Sequence, residues 1–265
     1  MTQLEKIRSE SITFKDLLQF ELYKVYLIRG NRIRFFLGIA LPLLFMGFFW
    51  LGLHGKNPGT FDATGVRDGV FNLGGASLLV ATVSAVYFAT SELRNGSAIY
   101  AIVSTRSRFT WIQAKLVTAI LFGCAITILS ELEVVLFGKI LFHSLNIDYN
   151  FFTARALERE FGFCISGLFG SLIGVGVGLL LRSQMLAVIT VIVYTMGIET
   201  WLLVILPNVA KYLIGGGYES ITGDSTQTHN LGVLYGYLLL TAWSCLFIGL
   251  GTWTTLRSDI QWKEN

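Results

Sequence analysis

The stretch "IRFFLGIALPLLFMGFFWLGL", residues 33–53, decides the class of fold to which this chain belongs. Arg34 carries its only charged side chain, and the residues that follow are almost all apolar. A helix needs about 20 apolar residues to cross the hydrocarbon core of a bilayer. This stretch therefore predicts a membrane-spanning helix.

Five further stretches of similar length and character follow it along the chain, at residues 70–90, 112–140, 160–181, 184–206 and 231–256. The composition agrees with them, because the chain is 53% hydrophobic and only 14% charged, whereas a soluble domain carries about 25% charged residues. We therefore expect an all-α polytopic membrane protein, with six transmembrane helices in a single transmembrane domain over residues 1–265.

The basic residues predict how these spans are oriented. Fourteen of the 20 lysines and arginines fall on one side, in the segment before the first span, the loop between the second and third, the turn between the fourth and fifth, and the tail. Loops rich in lysine and arginine stay in the cytoplasm. We expect a multi-pass protein of the bacterial cytoplasmic membrane with both termini cytoplasmic.

Two segments outside the spans also carry a structural prediction. Residues 12–30 are too charged to cross a membrane, but their apolar residues recur near helical spacing, which predicts an amphipathic helix at the cytoplasmic interface. A soluble helix packed on a partner is the alternative. Residues 207–230 begin apolar and end polar, which predicts an outer re-entrant segment followed by a loop.

Motifs for catalysis or cofactor binding are missing from the sequence. Neither Gly55-Lys56 nor Gly138-Lys139 completes a phosphate-binding P-loop, and no HExxH or GxSxG occurs. The three histidines are scattered over predicted outer loops and the three cysteines over separate apolar stretches, which disfavours a metal site or a disulfide. A net charge of +3 is too small to favour nucleic acid as a partner. We expect a protein that is not an enzyme, with no catalytic, cofactor-binding or metal-binding residues.

Four short motifs occur in a defined order relative to the six spans. They are Glu92 with Gly96-Ser97 after the second span, Arg108 followed by Lys115 at the start of the third, Pro207 at the end of the fifth, and "TLRSDI" with Arg257 and Asp259 after the sixth. In this arrangement the chain resembles the integral-membrane permease subunit of bacterial type-2 ABC exporters. It departs from the family at Thr105, where a proline is common.

The resemblance implies how such a subunit would work. In that family the loop between the second and third spans, here residues 91–108, forms a short coupling helix that docks in a groove of a separate ATPase subunit. Two permease subunits, identical or similar, assemble with two cytoplasmic ABC ATPases. ATP and magnesium then belong to the partner, in keeping with the missing P-loop, and membrane lipids surround the spans.

The residues of this loop favour the same interpretation. Asn95-Gly96 is typical of a turn, and apolar residues at i, i+3 and i+4 give the following segment one apolar face. Arginines on either side can pair with acidic groups of a partner or with lipid phosphates. The alternative is an ordinary basic cytoplasmic loop. The residues assigned to ATPase coupling are Glu92, Arg94, Asn95, Gly96, Ile99, Ile102, Val103, Arg106 and Arg108.

Two glutamates within the spans are candidates for a substrate path. Ionisable groups at membrane depth are costly and mark functional sites. Glu131 in the third span and Glu199 in the fifth, with Tyr194 beside it, are expected to favour cationic or polar parts of a cargo. The alternative is that they lie near the outer interface and pair there.

The fourth span carries glycines at a spacing of four, Gly170, Gly174 and Gly178. Small residues at this spacing let helix backbones approach closely. Packing within the chain and contact with a second subunit are both open at this point.

The cargo that fits short outer loops and apolar spans is amphipathic or hydrophobic. An antimicrobial peptide of the lantibiotic or bacteriocin kind and a drug-like molecule both qualify, which would make the protein a determinant of antibiotic resistance or bacteriocin immunity. An ion-driven secondary transporter is the alternative, although it would predict an inverted repeat. A membrane-embedded lipid-modifying enzyme would need a polar cluster at the membrane surface.

Overall fold

The computed structural model describes residues 13–53, 66, 69–70, 72–94, 96–105, 107–145, 153–222 and 231–257, with the side chains of residues 94, 104, 105, 155 and 203 excepted. Within these ranges the regular structure is helical. The α-helices are α1 (Phe14–Leu27), α2 (Arg29–Leu53), α3 (Gly75–Arg94), α4 (Ala98–Thr105), α5 (Arg108–Ser144), α6 (Ala154–Leu181), α7 (Gln184–Ile192), α8 (Thr200–Ile205), α9 (Pro207–Ala210), α10 (Ile214–Thr222) and α11 (Val233–Arg257), and a π-helical segment, Val193–Glu199, joins α7 to α8.

In the part of the chain that the structure describes, six helical segments are long and apolar enough to cross a membrane, which confirms the predicted all-α fold with six spans. The spans are, in order, α2, α3, α5, α6, the run from α7 through the π-helical segment to α8, and α11. The third span is longer than predicted, since α5 has 37 residues. At about 1.5 Å per residue it exceeds the roughly 30 Å hydrocarbon core, so its ends extend past the apolar region.

The fourth span is the central helix of the bundle and packs against the second, third and sixth spans. Its glycines face these neighbours in turn. Gly170, Gly174 and Gly178 all contact the second span, where a Cβ at Gly170 would lie 2.6 Å from Thr82 Oγ1 and one at Gly178 would lie 2.9 Å from Ala89 Cβ. The three predicted packing glycines thus bring two helices of the same chain together.

The fifth span is not a continuous α-helix. The π-helical segment Val193–Glu199 widens it in the middle, and the wider turn changes the direction of the side chains that follow. Glu199, the last residue of this segment, is buried. Segments of this kind often occur at functional sites, and the sequence pattern did not predict this one.

The segment after the fifth span folds back onto the bundle. Pro207 begins α9, and α10 then packs against the fourth and sixth spans with most of its residues buried. It corresponds to the first part of the predicted re-entrant segment, and residues 223–230 lie outside the described residues.

Helix α1 precedes the first span and lies along the third. Thr13 caps its beginning in a reciprocal arrangement with Asp16, and the chain becomes extended at Ile28 before the first span starts. The buried face of α1 includes Leu17 and Glu21, whereas Tyr26 is 71% exposed. We call the end of the bundle that carries α1, α4 and the last turn of the sixth span the α1 end.

Candidate functional site

Two features of the bundle place charged side chains in apolar, buried surroundings. The first is a cavity among the spans, and the second is a group of buried ion pairs at the α1 end, which we call the ion cluster.

The cavity has a volume of about 800 Å³ and lies between the second, fourth, fifth and sixth spans and α10, with Phe45 of the first span also lining it. Most of its lining is apolar, as Leu79, Ile173, Val177, Val191 and Phe247 illustrate. Its charged lining residues are Glu199 and Glu219, and among the described residues no lysine or arginine contributes to it. Among the described residues, the cavity thus combines an apolar lining with acidic side chains alone.

Glu199 is held at one wall of this cavity by the start of α10. Its side chain is buried, at 3% exposure, and one carboxylate oxygen accepts a hydrogen bond from the backbone N–H of Gly215. The N-terminus of a helix carries partial positive charge, which stabilises a carboxylate placed there. Gly215 is needed for this approach, because a Cβ at that position would lie 2.7 Å from Glu199 Cδ.

Tyr194 lines the same cavity, and its hydroxyl contacts the backbone of Ile214 at the start of α10. Two of the three residues predicted for a substrate path, Tyr194 and Glu199, thus both contact the first residues of α10. The π-helical segment contains both of them, so it determines how their side chains enter the cavity.

Glu131, the third predicted residue, lies elsewhere. Its carboxyl group packs against Gly74, just before the second span, and beside Glu160 of the fourth span. The third span contributes no residue to the described lining of the cavity. The structure therefore separates Glu131 from Glu199, although both are acidic residues within spans.

The ion cluster joins α1 to the second and third spans. The ammonium group of Lys115 lies 2.8 Å from Glu21 Oε2 and 2.9 Å from Glu92 Oε1. Lys24 pairs with Glu21 at 2.6 Å and also with Glu92. The indole N–H of Trp111 donates to Glu92 Oε2 at 2.8 Å. Every carboxylate oxygen of the two glutamates thus has a donor.

Charge balance makes this burial possible. Glu21 and Lys115 are 2% and 1% exposed, and a buried charge is tolerated only where it is paired and hydrogen-bonded. Two acids and two bases leave the ion cluster neutral. Burial by itself disfavours the charged form of Lys24, but the carboxylates of Glu21 and Glu92 outweigh it and raise the pKa of Lys24 above its ordinary value.

Helix α4 lies next to the ion cluster and has two different faces. Ala98 is fully buried, and Ile102 packs against the same apolar core as Trp111. Tyr100 and Val103 point outward, at 68% and 69% exposure. The predicted apolar face is therefore divided, with Ile102 turned towards the bundle and Val103 away from it. Ile99 is half-buried.

The turn before α4 uses glycine for its geometry. Gly96 has a φ of +69°, in the left-handed region that other residues avoid. Asn95 and Arg106, which the sequence also assigns to coupling, lie outside the described residues, and Arg94 is described by its backbone alone.

Glu92 and Arg108, which the sequence assigns to ATPase coupling, have partners within the chain. Glu92 belongs to the ion cluster. Arg108 donates to the carbonyl oxygens of Thr255 and Leu256 at 3.3 and 3.1 Å, and Arg182 donates to that of Thr254. Cations stabilise the C-terminal end of a helix, where carbonyl groups lack partners. These basic side chains therefore hold the last turn of the sixth span against the start of the third span and the end of the fourth.

Sequence reasoning missed Glu21 and Lys24 as members of the ion cluster, and it missed Glu160 as the neighbour of Glu131. Glu21 and Lys24 are three apart on one helix, a spacing that indicates a local pair, but nothing local points to Lys115. Glu160 stands at the edge of an apolar stretch, where an acidic residue is ordinarily interfacial.

Comparison of the chain with protein-family models, curated proteins and solved structures found no match. Within the described ranges, no group of three or more histidine, cysteine, aspartate or glutamate residues is placed to hold a metal ion. The functional interpretation accordingly depends on the geometry of the cavity, the ion cluster and α4.

Proposed function

We propose that this chain is the permease subunit of an ATP-driven exporter that moves amphipathic molecules carrying positive charge. The observation that carries the proposal is the cavity, which combines an apolar lining with Glu199 and Glu219 and has no described basic residue. Its volume of about 800 Å³ falls within the 300–1,000 Å³ range typical of sites for drug-sized ligands. A drug-like cation or the cationic part of an antimicrobial peptide matches this chemistry.

The charge preference follows from the low dielectric of such a cavity. Electrostatic interactions are stronger there than in water, so a cation gains from the carboxylates while an anion of the same size is repelled. Apolar groups of the cargo would contact the aliphatic and aromatic lining. The start of α10 and the π-helical segment, which together hold Glu199, provide elements whose rearrangement would open or close the cavity.

The α1 end supports the assignment of an ATPase partner. Exposed Tyr100 and Val103 on α4 offer an apolar contact, and the inner face of α4 packs on the core that also contains Trp111. A push on α4 would therefore reach the second and third spans directly. We propose that two ABC ATPases dock at this end, that it faces the bacterial cytoplasm, and that a second permease subunit completes the complex.

An ion-driven secondary transporter is the second candidate, because the fifth span departs from α-helical geometry beside a buried acid. Irregular helices that hold ionisable groups within the membrane are typical of such transporters. The two candidates differ in their energy source. ATP-dependent, gradient-independent transport favours the exporter, and the reverse favours the secondary transporter.

A pair of probes with equal shape and opposite charge tests the cavity. Tetraphenylphosphonium and tetraphenylborate are compared for binding to the purified chain in nanodiscs. We expect the cation to bind preferentially, and we expect Glu199→Gln to weaken that preference about tenfold, a change of about 1.4 kcal/mol in binding free energy. Equal binding of both probes, or an unchanged preference in Glu199→Gln, would contradict the proposal.

The energy source is tested on the complex purified through the tagged chain. Its ATP hydrolysis and its transport of tetraphenylphosphonium are measured in proteoliposomes with and without ATP. Stimulation of hydrolysis by the probe is expected for an exporter. Transport driven by an ion gradient without ATP would favour the second candidate.

A further inference from the structure

Glu131 lies outside the cavity, in a position that the predicted substrate path does not explain. The residue is 2% exposed, and among the described residues neither of its carboxylate oxygens has a hydrogen-bond partner. Gly74 lies directly against it, because a Cβ on that glycine would overlap Oε1 of Glu131. A carboxylate buried with both oxygens unpaired is among the most costly groups in a folded chain.

Glu160 of the fourth span lies within hydrogen-bonding reach of Glu131. One of its own oxygens, Oε1, is likewise buried without a partner among the described residues. Two ionised carboxylates are both acceptors and repel each other. A single proton placed between them turns one group into a donor, satisfies an oxygen on each side and removes one negative charge.

The surrounding charges favour one proton rather than two. Arg159 is 7% exposed, neighbours Glu160 in the chain and donates to Asn72 Oδ1 at 2.8 Å. Its positive charge acts on both glutamates and balances the one negative charge that a singly protonated pair retains. Cys164 of the fourth span lies near both glutamates, and Cys124 of the third span lies near Cys164. Glu133 is two residues from Glu131 on the same helix.

We propose that Glu131 and Glu160 form a proton-binding site that joins the third and fourth spans through one shared proton. The pair binds this proton at lower pH and loses it as the pH rises. Loss of the proton places two adjacent negative charges between the spans, which would separate them. Neither glutamate lines the cavity, although Asn72, which accepts from Arg159, does.

Dicyclohexylcarbodiimide reacts with protonated carboxyl groups in apolar surroundings and therefore reports on the shared proton. The full chain in nanodiscs is treated over a range from mildly acidic to alkaline pH, and adducts are located by peptide mass spectrometry. We expect an adduct on Glu131 or Glu160 that falls at least tenfold as the pH rises. An adduct that does not change with pH would overturn the proposal.

Single substitutions show whether the proton is shared. In Glu160→Gln the amide N–H₂ supplies a donor, so Glu131 remains ionised and its adduct should disappear; Glu131→Gln should act likewise on Glu160. Glu133→Gln, two residues away on the same helix, is the matched control and should leave the adduct intact. An adduct on Glu131 that persists in Glu160→Gln would show that the two carboxyl groups titrate separately.

Two further results would also overturn the proposal. Protection from the reagent by sodium, potassium or calcium ions at constant pH would make the pair a metal-cation site instead. Infrared spectroscopy of the unmodified protein tests the proposal without any variant, because a protonated carboxyl has a carbonyl band that disappears on deprotonation. The absence of any carbonyl band that disappears between mildly acidic and alkaline pH would exclude a shared proton.

Discussion

Lys115 illustrates how a single residue depends on its surroundings. It looks out of place in an apolar helix, yet it is 1% exposed and contacts Glu21 and Glu92. Those contacts bring α1 onto the bundle, so a residue of the third span determines where the chain before the first span lies. The stability of this contact therefore depends on the charge balance of the ion cluster.

Removing this lysine should therefore destabilise the fold. Lys115→Met leaves Glu21 Oε2 without its donor and gives the ion cluster a net charge of −1. We expect a loss of about 3–5 kcal/mol in the free energy of unfolding, the range found when a buried pair loses one partner. Lys139→Met, at an exposed position on the same helix, is the control and should have little effect. Denaturant unfolding in detergent measures both, and equal small losses would contradict the assigned role.

The cap of α1 should depend on pH. Hydrogen bonds from the hydroxyl and the backbone N–H of Thr13 hold the pKa of Asp16 below its ordinary value of 3.8. The stabilisation is therefore present above the ordinary pKa and is lost as the pH falls through the lowered value. We expect the first turn of α1 to exchange its amide hydrogens faster under acid, after correction for intrinsic exchange. In Asp16→Asn this dependence should vanish, and its persistence would assign it to another group.

Among the helices, the fourth span owes its central place to its glycines. They face the second, third and sixth spans on different sides; for example, Gly251 of the sixth span lies against the backbone of Gly176. Without side chains in the way, the helices approach closely enough to pack backbone against backbone. The geometry of the cavity walls depends on this packing.

A methyl group at such a contact should be costly. In Gly174→Ala the new Cβ would overlap the carbonyl oxygen of Thr82 and lie 2.9 Å from Ala85 Cβ. We expect a destabilisation of about 1–3 kcal/mol, as is usual for overpacking. Gly249→Ala is the matched control, because no atom lies within 4 Å of its Cβ position. Thermal unfolding of both variants in the same detergent provides the comparison, and a stable Gly174→Ala would mean that the two helices can separate at little cost.

The contact between the fifth span and α10 should control binding in the cavity. In Gly215→Ala the added Cβ displaces the Glu199 carboxyl group, so the preference for tetraphenylphosphonium should fall as it does in Glu199→Gln. Gly197→Ala, where no atom lies within 4 Å of the new Cβ, should bind like the unmodified chain. Unchanged binding in Gly215→Ala would show that Glu199 acts without support from α10.

For the whole molecule, the proposed transfer of force from α4 can be separated from cargo binding. The double substitution Tyr100→Ala with Val103→Ala removes the exposed apolar side chains of α4 but leaves its buried face intact. We expect stimulation of ATP hydrolysis by tetraphenylphosphonium to fall at least tenfold while binding of the probe is unchanged. Tyr26→Ala, which removes an exposed side chain of α1, is the control. Full stimulation in the double variant would place the ATPase contact elsewhere.

Charge reversal at Arg94 or Arg106 tests the same proposed ATPase contact through its basic residues. We expect export and substrate-stimulated ATP hydrolysis to be uncoupled, because these arginines follow the second span and flank α4 in the sequence. Unchanged export together with unchanged stimulation would favour an ordinary basic loop that only sets the topology.

The sequence by itself determined the six spans and the short helix between the second and third. Apolar length is a local property that requires the backbone to satisfy its own hydrogen bonds, which helices do. The first span, for example, was predicted at residues 33–53 and extends over Arg29–Leu53. A turn at Asn95-Gly96 followed by an apolar segment likewise identified α4 from local residue types.

Only the tertiary structure decided which polar side chains meet. Glu21 and Lys115 are 94 positions apart, and Glu131 and Glu199 proved to lie at separate sites. The glycines determine how closely neighbouring spans approach, and this packing decides which face of each span turns inward. Within the fifth span, the π-helical segment changes which face that is. A buried ionisable group takes whichever partner this packing brings within hydrogen-bonding distance, and that partner need not be near it in the chain.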